Sequence, residues 1–106
     1  MIQLIDRREI PRLLSFCKGS PYGVRISAFL QAYGTSYPFA LFWMQTDASG
    51  RITAALSRVD GHVTLCASEQ ADWEEVWAFL SAAGYESVLC PEWAAQTAGL
   101  LSACRL

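Results

Sequence analysis

The stretch RITAALSRVDGHVTLCASEQADWEEVWAFL, residues 51–80, decides the fold. Its first part alternates apolar and polar residues, which is typical of a β-strand with one buried face. Asp60-Gly61 follows, and this dipeptide favours a type I′ hairpin turn, which needs positive φ at both central positions. His62–Ala67 is then predicted as the return strand, and a polar turn leads into a helix over Asp72–Ala83, ended by Gly84.

Side-chain periodicity predicts which residues of this stretch are buried. The first strand presents Ile52, Ala54 and Leu56 on one face, and the return strand places Val63 and Leu65 opposite them. The helix has an apolar face at helical spacing, made of Val76, Phe79, Leu80 and Ala83.

Upstream of this stretch, the sequence predicts a strand, two helices and a second strand. The first strand is MIQLID, residues 1–6. The first helix begins at Asp6, where Glu9 completes a capping box, and it ends at Lys18-Gly19. The second helix begins at Ser20-Pro21 and ends at Gly34, and the next strand is Pro38–Gln45. The predicted apolar helix faces are Ile10, Leu13, Leu14 and Cys17, then Ile26, Phe29, Leu30 and Tyr33. Pro38–Gln45, Arg51–Val59 and His62–Ala67 should form an antiparallel meander, with a turn at Asp47–Gly50.

Downstream, Tyr85–Cys90 is predicted as a fifth strand. A last helix begins at Pro91 and contains Trp93, Ala94, Leu100, Leu101 and Cys104. The order β-α-α-β-β-β-α-β-α predicts one α+β domain over residues 1–106. We expect a mixed, mostly antiparallel sheet with helices on both faces.

Composition excludes several classes of protein. The net charge is −2 and the basic residues are scattered, so a nucleic-acid-binding surface is not expected. No apolar run reaches the ~18 residues of a membrane span, and charges interrupt the N-terminus, so we expect a cytoplasmic protein that does not bind membranes. The four cysteines, Cys17, Cys66, Cys90 and Cys104, form no C-x-x-C pair, and no histidine stands at ligand spacing. Buried, reduced thiols and no metal site are expected.

The element order and several phrases resemble the GNAT superfamily of N-acetyltransferases. The phrases are YGVRISAFLQAYG, YPFALFWMQ, ITAALSRVDGHVTLCA and DWEEVWAFLSAAGYESVLC, which look like the N-terminal domain of some bacterial proteins labelled as acetyltransferases. The resemblance implies that the pantetheine of acetyl-CoA would lie between the strands His62–Ala67 and Tyr85–Cys90. The diphosphate would bind a Q/R-x-x-G-x-G/A loop at the start of the next helix, where backbone N–H groups and the helix dipole attract anions.

Two departures from the family pattern bear on activity. The equivalent loop, Ser68–Glu75, contains no glycine, and only Gln70 fits the first position of the pattern. Asp72 and Glu75 form a second capping box there, so this helix is expected to cap itself and to repel phosphates. The sequence also stops at Leu106, before the last two strands of the family, and no tyrosine follows the fifth strand.

Three residues carry side chains that could serve in catalysis. His62 and Glu86 are candidate general bases, but an exposed position is favoured for each. Cys66 is a candidate nucleophile, but a buried, inert thiol is favoured because no basic residue neighbours it in sequence. Trp73 and Trp77 widen the apolar surface of their helix, either to cover the sheet edge or to form a protein-binding patch. No catalytic, cofactor-binding or metal-binding residue is assigned.

Two functions follow from the resemblance. In the first, the chain is a non-catalytic GNAT-like domain that holds no cofactor and acts as a binding, regulatory or dimerisation module. Its partner would be a second copy or a covalently linked catalytic domain. In the alternative, it is a minimal N-acetyltransferase that holds acetyl-CoA by main-chain pairing with Leu65–Ala67 and is completed by oligomerisation.

Overall fold

The fold follows the predicted order of helices and strands. It is seen in a computed structural model that describes residues 1–101, with side chains described through Thr97. The elements are β1 (Ile2–Leu4), a 3-10 helix (Arg7–Glu9), α1 (Ile10–Phe16), α2 (Pro21–Tyr33), β2 (Ala40–Thr46), β3 (Ile52–Val59), β4 (His62–Ala67), α3 (Trp73–Ala83), β5 (Ser87–Leu89) and α4 (Glu92–Leu101).

The five strands form one mixed sheet in the order β1-β2-β3-β4-β5. β1, β2, β3 and β4 pair with one another in antiparallel fashion, and β5 is parallel to β4. The β3–β4 hairpin turns at Asp60 and Gly61 with φ of 52° and 86°, as a type I′ turn requires. The predicted α+β class and mostly antiparallel sheet are therefore confirmed.

Each face of the sheet has its own hydrophobic core. Leu13 of α1 and Ile26 of α2 pack with Phe42 of β2 on one face. On the other face, Val76 and Leu80 of α3 pack against β3 and β4. Helices therefore cover both faces, as the apolar stripes of the three helices predict. Ala83, expected on the buried stripe of α3, is exposed instead because it lies in the last turn.

Ile52 does not share a face with Ala54 and Leu56, so that prediction is wrong. Gln45 pairs with Ala54 and Thr46 pairs with Ile52, which leaves Thr53 as an extra residue on β3. Such a β-bulge shifts the alternation of side chains by one position. Ile52 consequently packs on the α1–α2 side of the sheet.

The first helix begins later than predicted. Asp6 caps a 3-10 turn, in which its carboxylate accepts the Arg8 N–H at 2.9 Å. Pro11 has no N–H group, so it fits only the first turn of an α-helix, which begins at Ile10. The capping box expected with Glu9 is replaced by this tighter turn.

The C-terminal elements are shorter than predicted. β5 covers Ser87–Leu89 rather than Tyr85–Cys90, and Cys90 is half-buried rather than buried. The side chains expected at Leu100, Leu101 and Cys104 lie outside the described residues. Within residues 1–101, no helix is both long and apolar enough to span a membrane.

Candidate functional site

The candidate site is the turn that joins β4 to α3, residues 68–75, called here the α3 junction. The Ser68 N–H donates to the Thr53 carbonyl oxygen at 2.9 Å, which fixes the turn to the β-bulge of β3. The Asp72 carboxylate accepts the Glu75 N–H at 3.2 Å and caps α3. This half of the predicted capping box is confirmed.

Gln45 completes the cap in place of Glu75. Its side chain is 1% exposed, and its amide oxygen accepts the Asp72 N–H at 2.9 Å and the Thr53 hydroxyl at 2.7 Å. Its amide nitrogen donates to the Asp72 carbonyl oxygen at 3.0 Å and to the Glu75 carboxylate at 2.8 Å. In a capping box the Glu75 side chain would accept the Asp72 N–H. That part of the prediction is wrong, because the acceptor is the side chain of Gln45 in β2. All hydrogen-bonding groups of a buried glutamine are thereby used.

Carboxylates dominate the surface at the start of α3. Asp72, Glu74 and Glu75 line a cavity of about 320 Å³ together with Ala78. The Met1 amino group lies 3.1 Å from Oε1 of Glu75, the same oxygen that accepts from the Gln45 amide. Negative side chains stabilise the positive end of a helix dipole, and they compete there with any external anion.

A second, polar cavity of about 340 Å³ lies beside the junction. Its lining is Asp47, Arg51, Ile52, Thr53, Ser68 and Gln70. The Arg51 guanidinium lies 3.6 Å from the Asp47 carboxylate, so the cation is paired within the cavity wall. Gln70, which alone matches the family loop pattern, is exposed here.

Asp47 organises the turn between β2 and β3 and should titrate at unusually low pH. Its carboxylate accepts from the Ser49 hydroxyl at 2.7 Å, the Ser49 N–H at 2.9 Å and the Arg51 N–H at 3.0 Å. These bonds, that from the Ser49 hydroxyl foremost, lower the pKa of Asp47. A depressed pKa stabilises the fold above the unfolded-state pKa, and that contribution is lost as pH falls through the folded-state pKa.

We therefore expect Asp47→Asn to remove part of the acid dependence of stability. The carboxyl resonance of Asp47, followed by NMR, should titrate below the usual range of aspartate. The exposed Asp60, in the other hairpin turn, provides the comparison by Asp60→Asn. An unchanged acid dependence in Asp47→Asn would contradict the assignment.

β4 extends beyond the strand that pairs with it. β5 pairs with His62, Val63 and Thr64 only, so the last three residues of β4 have no β5 partner. Their other edge is bonded to β3. The end of β4 that leads into the α3 junction is therefore not paired with β5.

His62 and Glu86 lie together at the opposite end of β4. The His62 Nδ1 is 2.8 Å from the Ser87 hydroxyl, and its Nε2 is 3.5 Å from the Glu86 carboxylate. Both side chains are exposed, as expected. His62 begins the strand whose far end is Ala67, so it lies about 17 Å from the junction at ~3.3 Å per residue. It is too distant to act as a base on a molecule bound there.

The surroundings of Cys66 come from residues that are distant in the sequence. The Cys17 thiol and the Ser20 hydroxyl lower the pKa of Cys66 against the opposing effect of burial. Cys66 and burial together raise the pKa of Cys17. Burial alone raises the pKa of Cys90. Cys66 is buried as predicted, but an inert thiol does not follow from its surroundings.

Trp73 and Trp77 pack between α3 and α4. Their rings stack at 6.4 Å, and the Trp93 ring meets Trp73 edge-on at 5.3 Å. The Trp77 Nε1 donates to the Thr97 hydroxyl at 2.7 Å. The two tryptophans are half-buried, and Trp93 and Thr97 of α4 pack against them.

Within the part of the chain that the structure describes, no three His, Cys, Asp or Glu side chains form a group able to hold a metal ion. Comparisons with protein-family models, curated proteins and solved structures gave no match. The resemblance to GNAT proteins therefore rests on the quoted residues and on the order of elements.

Proposed function

We propose that this chain is a GNAT-like domain that does not hold acetyl-CoA by its diphosphate and that acts as a non-catalytic binding or dimerisation module. The occupied N-terminus of α3 is the observation that supports it. Gln45 and the Asp72 carboxylate bond to backbone groups at this terminus, and no glycine permits a close approach of a phosphate.

Electrostatics at the α3 junction also disfavour an anion. Each carboxylate near a helix N-terminus contributes ~0.3–1 kcal/mol of stabilisation. A diphosphate would have to replace this stabilisation and would meet Asp72, Glu74 and Glu75 as like charges. The nearby Arg51 offers little compensation because Asp47 already pairs with it.

An aromatic surface provides a candidate contact for a protein partner. Tyr37 and Phe39 are 51% and 40% exposed, and both rings contact Tyr33 edge-on, at 6.4 and 5.1 Å respectively. Aromatic side chains are enriched in the buried centres of protein interfaces. The partner we propose is a second copy of the chain or a linked catalytic domain.

Titration with acetyl-CoA tests the cofactor part of this proposal. We expect no saturable heat in calorimetry and no thermal shift at millimolar ligand, because the junction excludes the diphosphate. Saturation at 100 times Kd would instead add ~2.7 kcal/mol of stability, which is several degrees for a domain of this size. A clear shift would contradict the proposal.

Sedimentation tests the partner part. If two copies associate through the aromatic surface, Tyr37→Ser/Phe39→Ser should weaken association at least tenfold. Val24→Ser is the matched control, because Val24 is also exposed but lies near the start of α2, outside the aromatic surface. A monomer at every concentration would remove the homodimer and leave the linked domain as the proposed partner.

The end of β4 that is not paired with β5 favours a second candidate, a minimal N-acetyltransferase. Leu65–Ala67 have no β5 partner, so their main chain could pair with the pantetheine of acetyl-CoA. Attack of an amine on the thioester would then depend on positioning rather than on a nucleophilic side chain. This candidate requires acetyl-CoA binding, a dimer, and turnover that changes in the Ser68–Asp72 loop abolish; a monomer that binds no cofactor contradicts it.

A further inference from the structure

A serine, a histidine and a carboxylate meet where β4 and β5 begin. His62 is the first residue of β4 and pairs in register with Ser87, the first residue of β5. The His62 Nδ1 is 2.8 Å from the Ser87 hydroxyl, and its Nε2 is 3.5 Å from the Glu86 carboxylate. A nucleophile within hydrogen-bonding reach of a base, which a third group orients in turn, is the arrangement of an activated serine. We propose that Ser87 is an acylation site, which accepts the acyl group of a small activated ester or thioester.

Glu86 selects the nitrogen of His62 that accepts a proton. Its carboxylate lies beside Nε2 and favours a proton there, which leaves Nδ1 as the acceptor for the Ser87 O–H. The Glu86 N–H donates to the Gly61 carbonyl oxygen at 2.8 Å. Its side chain packs against Gly61, where an added Cβ would lie 3.3 Å from the Glu86 Cγ. The hairpin turn and the pairing of β4 with β5 therefore position the base and the group that orients it.

The serine lies on an open part of the sheet. Ser87 and Leu89 share the face of β5 opposite to Val88, which packs against the core on the α3 side. Ser87 is exposed, and Leu89, at 47% exposure, provides an apolar surface two residues from the hydroxyl. The side chains of His62 and Glu86 are 57% and 74% exposed. A small acyl donor can therefore reach the hydroxyl from solvent without any movement of the fold.

The reaction needs only the chain and the acyl donor. As the Ser87 oxygen attacks the carbonyl carbon of the donor, its proton passes to Nδ1 of His62, and the imidazolium that forms faces the Glu86 carboxylate. The bond from the carbonyl carbon to the leaving oxygen or sulfur then breaks, and Nδ1 gives the proton to the departing phenolate or thiolate. The products are an ester on Ser87 and a phenol or thiol, and nothing is oxidised or reduced.

The acyl group is expected to accumulate on Ser87. Thiols and phenols, with pKa values of about 8.5 and 10 in cysteine and tyrosine side chains, give good leaving groups. The serine alkoxide is far more basic, so it leaves slowly when water attacks the new ester. Each chain is therefore modified once, which suits a module without turnover. The α3 junction and the aromatic surface take no part, so this site goes beyond the proposed function and does not depend on it.

Two acyl donors test the proposal on the unchanged chain: p-nitrophenyl acetate, and S-acetyl-N-acetylcysteamine as a thioester that carries no diphosphate. With each donor we expect a burst of about one equivalent of nitrophenol or thiol per chain, followed by a much slower release. Peptide mapping should place an acetyl group on Ser87. Acetyl groups on other residues, with none on Ser87, would overturn the proposal.

Variants at exposed positions separate the roles. Ser87→Ala should abolish the burst, and His62→Gln should slow it by about a hundredfold or more, because a positioned base contributes 10²–10⁴-fold. Glu86→Gln should slow the burst less than His62→Gln and leave its amplitude unchanged, as a positioning residue would. Ser49→Ala is the matched control and should not change the burst, because the exposed Ser49 hydroxyl donates to the Asp47 carboxylate and not to a histidine. Equal burst rates in His62→Gln and the unchanged chain would also overturn the proposal.

Discussion

Replacing Gly23 by alanine is expected to destabilise the fold by about 3 kcal/mol or more. Gly23 lies in the first turn of α2, directly against the end of α1. A Cβ added there would overlap the carbonyl oxygen of Cys17 and lie 2.7 Å from its carbonyl carbon and 2.8 Å from its Cα. These are backbone atoms, which cannot turn aside as a side chain can. One of the two helices would have to move and open the core around Leu13 and Ile26.

Intrinsic helix propensity predicts that Gly23→Ala raises the stability, the opposite of the effect expected from the contact with Cys17. The measured sign therefore decides between the two. Alanine is better than glycine in a helix by ~1 kcal/mol, so without the contact Gly23→Ala would stabilise the chain. Urea unfolding of Gly23→Ala should show the loss, and Val24→Ala, at an exposed position of the same turn, should stay within about 0.5 kcal/mol of the unchanged chain. Equal or greater stability of Gly23→Ala would show that α1 moves away at no cost.

Much of the fold could be predicted because its signals are local. Asp60-Gly61 sets the hairpin through the φ angles of two adjacent residues. Ser20-Pro21 starts α2, where the serine hydroxyl accepts the Gly23 N–H at 3.4 Å. The spacing of apolar residues in each helix then indicates which face meets the sheet. None of these inferences needs knowledge of a distant residue.

Errors arose where distant residues decide the local structure. Ile52 changes face because Thr53 is bulged, and the Thr53 hydroxyl is held by the Gln45 amide oxygen from the neighbouring strand. The alternation of β3 contains no sign of that bond. The alternation of β4 likewise gives no sign that Cys66 shares a core with Cys17.

The candidate site was only half visible in the sequence. Asp72 was found as a cap because its partner, Glu75, is three residues away. Gln45 was missed because it acts across 27 residues on the same turn. One signal existed, a glutamine at the end of the apolar run PFALFWM, where a buried amide must find partners for every polar group.

Replacing Gln45 by leucine is expected to cost about 3 kcal/mol, nearly as much as the change at Gly23. Leucine fills a similar volume but leaves the Asp72 N–H without its acceptor, and the Thr53 hydroxyl keeps only its longer bond, 3.3 Å, to the main-chain carbonyl oxygen of residue 45. The Glu75 carboxylate also loses a donor at 2.8 Å. Unsatisfied buried polar groups cost more than the net value of the bonds they made.

A matched change in the same region isolates the effect of burial. Gln70→Leu removes the same chemical group from an exposed position of the α3 junction and should alter the free energy of unfolding by less than about 0.5 kcal/mol. Chemical denaturation of both variants measures the difference. If Gln45→Leu and Gln70→Leu lower the free energy of unfolding equally, the four hydrogen bonds of the Gln45 side chain do not hold the α3 junction together.

Gln45→Glu should add a dependence on pH that the leucine variant lacks. The introduced carboxyl is buried and lies beside Glu75, so both burial and like charge raise its folded-state pKa above the unfolded value of about 4.3. An acid whose pKa is raised by folding binds its proton more tightly in the folded state, so stability falls as pH rises between the two pKa values. Relative to the unchanged chain, Gln45→Glu should therefore be least destabilised near pH 4 and most destabilised at pH 7. A constant difference from pH 4 to pH 7 would mean that the junction admits water around this position.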